Sequence, residues 1–137
     1  MPDPAGVVRQ FCALMETRDA EALRPFLAEN ATYQNVGMPA SIGLQAVLDD
    51  LGGQFAAFPD SYAYEIINIA ANGPVVLTER IDYVRTPTGE LAGIPVMGTF
   101  AVDAGKITRW TDYWDTALLA KVFAGDDVHV LLPKVAG

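Results

Sequence analysis

Arg80 and Asp82 place a cation and a carboxylate two residues apart, and in a strand, where side chains alternate faces, residues two apart point the same way. Two further period-two pairs of polar groups follow the same logic. One is Tyr33-Gln34-Asn35 in an apolar stretch, the other Trp110-Thr111-Asp112 within the run from Ile107 to Trp114. Together they suggest a polar cluster inside an otherwise apolar cavity. If Arg80, Asp82 and Asp112 converge there, one positive and two negative charges leave a net charge of minus one. Burying an uncompensated charge is costly enough that a group usually takes up a proton instead. One added proton makes the trio neutral and leaves a carboxylic acid beside a carboxylate, both held by the same guanidinium. That is the equipment for simultaneous general acid and general base catalysis.

These residues need elements to hold them. Val7, Val8, Phe11, Cys12 and Met15 recur at three- and four-residue spacings, so residues 4–18 read as an amphipathic helix. Asp19 reads as the N-cap of a second short helix over 20–27, with Glu21 in its first turn. Residues 31–35 read as a strand, followed by a loop with Gly37, Pro39 and Gly43. Residues 44–57 carry Val47, Leu48, Leu51 and Phe55 at helical spacing, and Pro59-Asp60 should end that helix. From residue 62 the punctuation is that of an antiparallel meander, with strands at 62–70, 75–85, 91–102 and 106–114 separated by Asn72-Gly73-Pro74, Thr86-Pro87-Thr88-Gly89 and Asp103-Ala104-Gly105. Asp115 caps a last helix reaching Phe123, which Gly125-Asp126-Asp127 ends. Helices first, then a sheet with a returning helix, is an α+β pattern: a curved, mostly antiparallel sheet wrapped around the N-terminal helices. A single domain over 1–137 is expected, with its core at about 4–124 and an apolar tail over 125–137.

Composition excludes several function classes. With 137 residues and 51% hydrophobic content, the chain is long enough for one real core and short for two. A net charge of -8 and a pI near 4.4 argue against nucleic-acid or anionic-membrane partners, which call for a basic surface. The opening Met1-Pro2-Asp3-Pro4 lacks the build of a secretory signal, so a cytoplasmic address is expected. The lone Cys12 excludes an internal disulfide, and one Cys with one His cannot make a tetrahedral Cys/His zinc site; neither metal nor cofactor is expected. With Arg80 and Asp82 inward, Val76, Thr78 and Val84 share their face, while Val75, Leu77, Ile81 and Tyr83 lie opposite. Both faces are apolar, and a sheet apolar on both sides must cover both. A homodimer through the second face is expected.

Tyr33-Gln34-Asn35, Leu77-Thr78-Glu79-Arg80-Ile81-Asp82, Gly98-Thr99-Phe100, Gly105-Lys106-Ile107-Thr108 and Trp110-Thr111-Asp112-Tyr113-Trp114-Asp115 resemble, in order and spacing, the limonene-1,2-epoxide hydrolases of the NTF2-like, or ketosteroid-isomerase-like, superfamily. The resemblance implies a cone-shaped α+β fold, usually dimeric, that hydrolyses epoxides without a metal or covalent intermediate. By motif it makes Asp112 the base that activates water, Tyr33 and Asn35 the groups that hold that water, Asp82 the acid that protonates the epoxide oxygen, and Arg80 the bridge between the carboxylates. Thr111 stands where the family often has Arg, and Trp114 where it often has Phe; the second departure could narrow the pocket.

The chemistry agrees with the residues. An epoxide is a strained ether whose oxygen needs a proton as the ring opens, and neutral water attacks weakly unless a base removes its proton. Met15, Phe58, Val84, Ile94, Val96, Trp114 and Leu118 are candidate walls for a lipophilic substrate, although core packing alone explains any of them. Glu79 faces away; Asp60 and Asp103 read as turn residues; His129 reads as a surface or structural histidine, and Cys12 as a packed small hydrophobe. The leading expectation is a cofactor-independent epoxide hydrolase giving a vicinal diol. An epoxide-opening cyclase and a non-enzymatic NTF2-like ligand-binding or dimerisation module are the alternatives.

Overall fold

The computed structural model describes residues 3–60 and 62–135. Met1, Pro2, Ser61, Ala136 and Gly137 lie outside the described residues, so the readings of the extreme N-terminus and of the tail's last two positions rest on the sequence alone. Asp3 starts the first helix: its carboxylate accepts from the Gly6 N–H at 3.1 Å, and Pro4 sits where a missing N–H does no harm. The helix α1 runs Pro4–Ala13 and buries Val7, Val8, Phe11 and Cys12. It ends earlier than its periodicity suggests. Leu14–Thr17 tightens to a 3-10 turn and Arg18 takes a left-handed conformation at φ 52, which reverses the chain toward the next cap. Asp19 caps α2 (Ala20–Leu23) through the Glu21 N–H at 3.0 Å. Pro25, which has no N–H to continue the ladder, ends α2 short of the expected boundary in a 3-10 turn over Arg24–Phe26.

The strand β1 then spans Leu27–Asn35, four residues longer at its start than the sequence suggested, and β2 is a two-residue strand, Ser41–Ile42, too short to signal itself. The helix α3 covers Leu44–Ala57 as expected. The meander follows as β3 (Tyr62–Asn72), β4 (Val75–Arg85), β5 (Leu91–Asp103) and β6 (Lys106–Tyr113). The β5–β6 hairpin turns through Ala104 and Gly105, both at positive φ, as a two-residue turn matched to the strand twist requires.

One six-stranded sheet results, in the order β2-β1-β6-β5-β4-β3. Every neighbouring pair is antiparallel except β1 with β6, so the sheet is mixed and mostly antiparallel. Bulges at Ile67 on β3, between Ile66 and Asn68, and at Thr108 on β6, opposite Ala101 and Val102 of β5, bend the strands. The helices α1 and α3 pack against the sheet, α1 chiefly on β3 and α3 on β1, giving the expected α+β arrangement.

An aromatic layer joins helix to sheet. Phe11 meets Phe26, Phe100 and Trp110 edge to face at 6.4, 6.3 and 5.1 Å between centroids, and Tyr33 stacks on Trp110 at 3.8 Å. On β4, Val76, Thr78, Arg80 and Val84 are buried, whereas Leu77 on the other face is about half exposed; the alternation is the one the sequence implied. The last helix, α4 (Thr116–Phe123), is capped by Asp115 on the Ala117 N–H at 3.0 Å. The tail returns to its own chain: Val128 and Leu132 pack on a cluster of Ile94, Val96 and Leu118. No helix among the described residues is long and apolar enough to cross a membrane.

Candidate active site

Register brings the polar residues together. In the parallel pair β1–β6, Tyr33 lies opposite Trp110 and Asn35 opposite Asp112. Across the antiparallel strands, Thr78, Gly98 and Asp112 form one row and Arg80 pairs with Val96. The strand β5 therefore separates Arg80 from Asp112, and the guanidinium can cross it only where β5 offers no side chain. Gly98 is that gap: a Cβ there would fall 2.3 Å from Arg80 Nη1 and 2.7 Å from Asp112 Oδ1.

Through it Arg80 holds both carboxylates. Its Nε and Nη2 donate to Asp82 Oδ1 and Oδ2 at 3.0 and 2.9 Å, and its Nη1 and Nη2 donate to Asp112 Oδ1 and Oδ2 at 3.1 and 2.9 Å. Nη1 also reaches Thr78 Oγ1 at 3.3 Å. The Tyr64 ring lies under the guanidinium, 4.4 Å from its carbon, a favourable face for a cation. Trp110 Nε1 donates to Asp112 Oδ1 at 2.8 Å. Arg80 is fully buried and the Asp112 side chain 3% exposed, while Asp82 is the more open partner at 16%.

Burial raises the Asp82 carboxyl from its ordinary 3.8 to about 6; Arg80 opposes the shift and the Asp112 charge adds to it. Burial also works against the charge on Arg80, yet Asp112 and Asp82 hold its pKa well above the ordinary value, so the guanidinium stays ionised. Tyr33 is raised by burial and by the Asp112 charge. The Cys12 thiol is pushed up to about 12 by burial, which suits a packed side chain.

Above this trio opens a cavity of about 330 Å³. Tyr33, Asn35, Asp82 and Asp112 border it, whereas Arg80 lies behind the two carboxylates. Of the candidate walls, Phe58, Val84, Ile94, Val96 and Trp114 line it. Met15 and Leu118 do not. Met15 is fully buried in the main core, because helical periodicity marks an inward face without telling core from cavity. Leu118 packs on Ile94 and Val96 with the returning tail, and its neighbour Leu119, one residue further round α4, meets the cavity instead.

The sequence reading missed other lining residues, Met38, Pro39, Asp50, Gln54, Tyr62 and Tyr64. A signal existed for four of these. Asp50 and Gln54 are four apart on α3, one turn along a single face, and Tyr62 and Tyr64 repeat the period-two spacing that singled out Tyr33 and Asn35. They form a network: Gln54 Nε2 donates to Tyr33 Oη at 3.2 Å and to Asp50 Oδ1 at 3.0 Å, Tyr62 Oη donates to Gln54 Oε1, and Tyr62 and Tyr64 hydroxyls are 3.3 Å apart. Asn35 Nδ2 donates to Tyr33 Oη at 3.0 Å, and Trp114 Nε1 to Asn35 Oδ1 at 2.8 Å. Among the described residues, no group of three or more His, Cys, Asp or Glu is placed to hold a metal ion.

The raised Asp82 value sets the sign of a stability effect. Folded Asp82 binds its proton more tightly than unfolded Asp82, so its contribution is fully present below about pH 4 and is lost as pH rises through about 6. Asn cannot titrate. The stability of Asp82→Asn relative to wild type should therefore improve from pH 4 to pH 8 by roughly 2–3 kcal/mol, at about 1.4 kcal/mol per pKa unit, as read by urea denaturation. A difference independent of pH would contradict the shift.

Comparison with known proteins gives the same direction. The family model of the limonene-1,2-epoxide hydrolase catalytic domain matches residues 2–124. Epoxide hydrolase EphG of Mycobacterium tuberculosis is 29% identical over 132 residues, which covers 93% of this chain and 84% of that protein. The solved structure of an M. tuberculosis LEH-like epoxide hydrolase superposes with a TM-score of 0.77 at 27% identity, covering 96% of both chains. A putative SnoaL-like polyketide cyclase from Shewanella putrefaciens CN-32 superposes with a TM-score of 0.79 at 15% identity, over 92% of this chain and 88% of that one; at that identity the likeness is one of fold.

Proposed function

Given that the chain belongs to the limonene-1,2-epoxide hydrolase family, we propose that it adds water to lipophilic epoxides in one acid/base step, yielding a vicinal diol without a covalent intermediate. The observation that carries this reading is the single guanidinium hydrogen-bonded to two carboxylates that border one apolar-walled cavity. In the reactive state Asp82 carries a proton and Asp112 does not. Asp112 takes a proton from a water held by Tyr33 and Asn35, the water oxygen bonds to a ring carbon, the carbon–oxygen bond of the ring breaks, and the released oxygen takes the Asp82 proton. Arg80 touches both acids throughout. The trio is neutral before the step and neutral after it, so no net charge moves into or out of a dry site. Return of the proton from Asp112 to Asp82 resets the pair.

Phe58, Val84, Ile94, Val96 and Trp114 border the cavity and offer a ring-bearing or branched hydrocarbon dispersion contacts without a charge partner. The face of the sheet opposite its buried side chains supports a second part of the reading. Leu77, Met97 and Tyr113 are about half exposed there, and Met97 and Tyr113 are paired across β5 and β6. We infer that this face joins two copies of the chain about a twofold axis.

Turnover of a panel of lipophilic epoxides tests the reaction. Asp112→Asn and Asp82→Asn should each lower kcat by at least about two orders of magnitude, and wild-type kcat/KM should fall on the alkaline side with a midpoint near pH 6, where Asp82 loses its proton. Undiminished turnover in Asp82→Asn would reassign the proton donor. In single turnover in labelled water the diol should carry the label; an unlabelled diol with the label in an enzyme carboxylate would defeat the one-step scheme. For the assembly, sedimentation at micromolar concentration should give a dimer that Met97→Glu dissociates, and a wild-type monomer would refute it.

A further inference from the structure

We propose that Gln54 is a positioning residue of this site, which clamps the Tyr33 hydroxyl so that its proton points into the cavity and makes Tyr33 an obligate donor to the attacking water. The inference rests on the epoxide-hydrolase reading and follows from donor and acceptor counts.

An amide can present either end, so its orientation must be fixed by a partner that has no choice. Asp50 is that partner for Gln54. Its carboxylate can only accept, it takes a hydrogen bond from Ser41 Oγ at 2.9 Å on one oxygen, and it accepts from Gln54 on the other at 3.0 Å. A flipped amide would set carbonyl against carboxylate. The NH2 end of Gln54 therefore faces Asp50 and Tyr33, and its carbonyl receives the Tyr62 proton. Tyr62 has a single proton, already used, so the Tyr62–Tyr64 contact must be donated by Tyr64. On the other side Trp114 fixes Asn35 in the same way. The indole N–H can only donate, so Asn35 turns its carbonyl to Trp114 and its NH2 to Tyr33.

Tyr33 Oη thus accepts from two amides, Asn35 at 3.0 Å and Gln54 at 3.2 Å. A phenol oxygen has two acceptor positions and one proton. With both positions filled, the proton is directed away from both amides, toward the cavity that Tyr33 borders. A water placed there accepts from Tyr33 through one lone pair. It gives one hydrogen to Asp112 and the other to the free position of the Asn35 carbonyl. One lone pair remains, and it faces the epoxide. The four directions of the water are all assigned, which is the orientational restriction that raises an effective molarity.

Without Gln54, the Tyr33 oxygen regains a free acceptor position, and water can bind it in the reverse sense as a donor, wasting a hydrogen and misdirecting its lone pairs. Gln54 acts on the attacking water through Tyr33, whereas a change in its contact with the cavity would show in KM, and that split gives a decisive test with the intact protein. Kinetics with the best epoxide of the panel are measured for wild type, Gln54→Leu, the near-isosteric Gln54→Met, Tyr33→Phe, and each double variant, with thermal melts to verify folding. Gln54→Met and Gln54→Leu should each lower kcat at least tenfold while KM changes less than about threefold. In the Tyr33→Phe background, where there is no hydroxyl to orient, either Gln54 substitution should change kcat by less than twofold.

Multiplicative losses in the double variants, a change confined to KM, or wild-type kcat in a folded Gln54→Met would each overturn the assignment of Gln54 while leaving the hydrolase reading intact, because wild type still turns over epoxide and Asp112→Asn does not. A wild type inert toward every epoxide tested would overturn both.

Discussion

A buried guanidinium that holds two carboxylates is the constraint on which the rest of this molecule depends. An unpaired ion placed in a protein interior costs several kcal/mol even after relaxation, whereas taking up one proton against an ordinary carboxyl pKa costs about 1.4 kcal/mol per unit. With Arg80 fully buried between Asp82 and Asp112, the pair keeps one shared proton up to about pH 6, well above the ordinary carboxyl range. Asp82 is the natural place for it. Asp112 accepts three hydrogen bonds, two from Arg80 and one from Trp110, while Asp82 accepts two, both from Arg80. On the proposed reading, the difference between base and acid follows from the number of donors each carboxyl meets.

The scaffold reads as the means of keeping that trio dry and in register. Gly98 opens β5 for the guanidinium. The Tyr64 face covers it from one side, and Phe11, Phe100 and Trp110 form the aromatic layer that holds the Trp110 N–H on Asp112. Parallel pairing of β1 with β6 is what sets Asn35 beside Asp112. An antiparallel register at that one position would leave Asp112 without its neighbouring amide.

Much of this was legible in the chain because strand parity is rigid. The spacing of Arg80 with Asp82, of Tyr33 with Asn35 and of Trp110 with Asp112 was sufficient to place six side chains on one face, and Asp19 and Asp115 announced their helices by type and position. The misses have physical causes of a different kind. Local sequence did not show that α1 would tighten after Ala13, since the 3-10 turn and the left-handed Arg18 answer to the need to turn the chain back. Met15 and Leu118 satisfied every apolar criterion for a wall and yet pack elsewhere, because hydrophobicity reports burial and not which buried surface faces empty space. Gln54 and Asp50 were not singled out: their four-residue spacing marks one shared helix face, and only the return of Tyr33 and Tyr62 to that helix gives them partners.

The central claim, a proton held on Asp82 up to about pH 6 by burial and by the neighbouring charge of Asp112, can be observed without substrate. Carbon-13 NMR titration of the aspartate side-chain carboxyl carbons, assigned through Asp82→Asn and Asp112→Asn, reads each group directly. The Asp82 resonance should titrate near pH 6 in wild type and at lower pH in Asp112→Asn, where the opposing charge is gone. An Asp82 that titrates near its ordinary 3.8, unmoved by loss of Asp112, would contradict the shared-proton account.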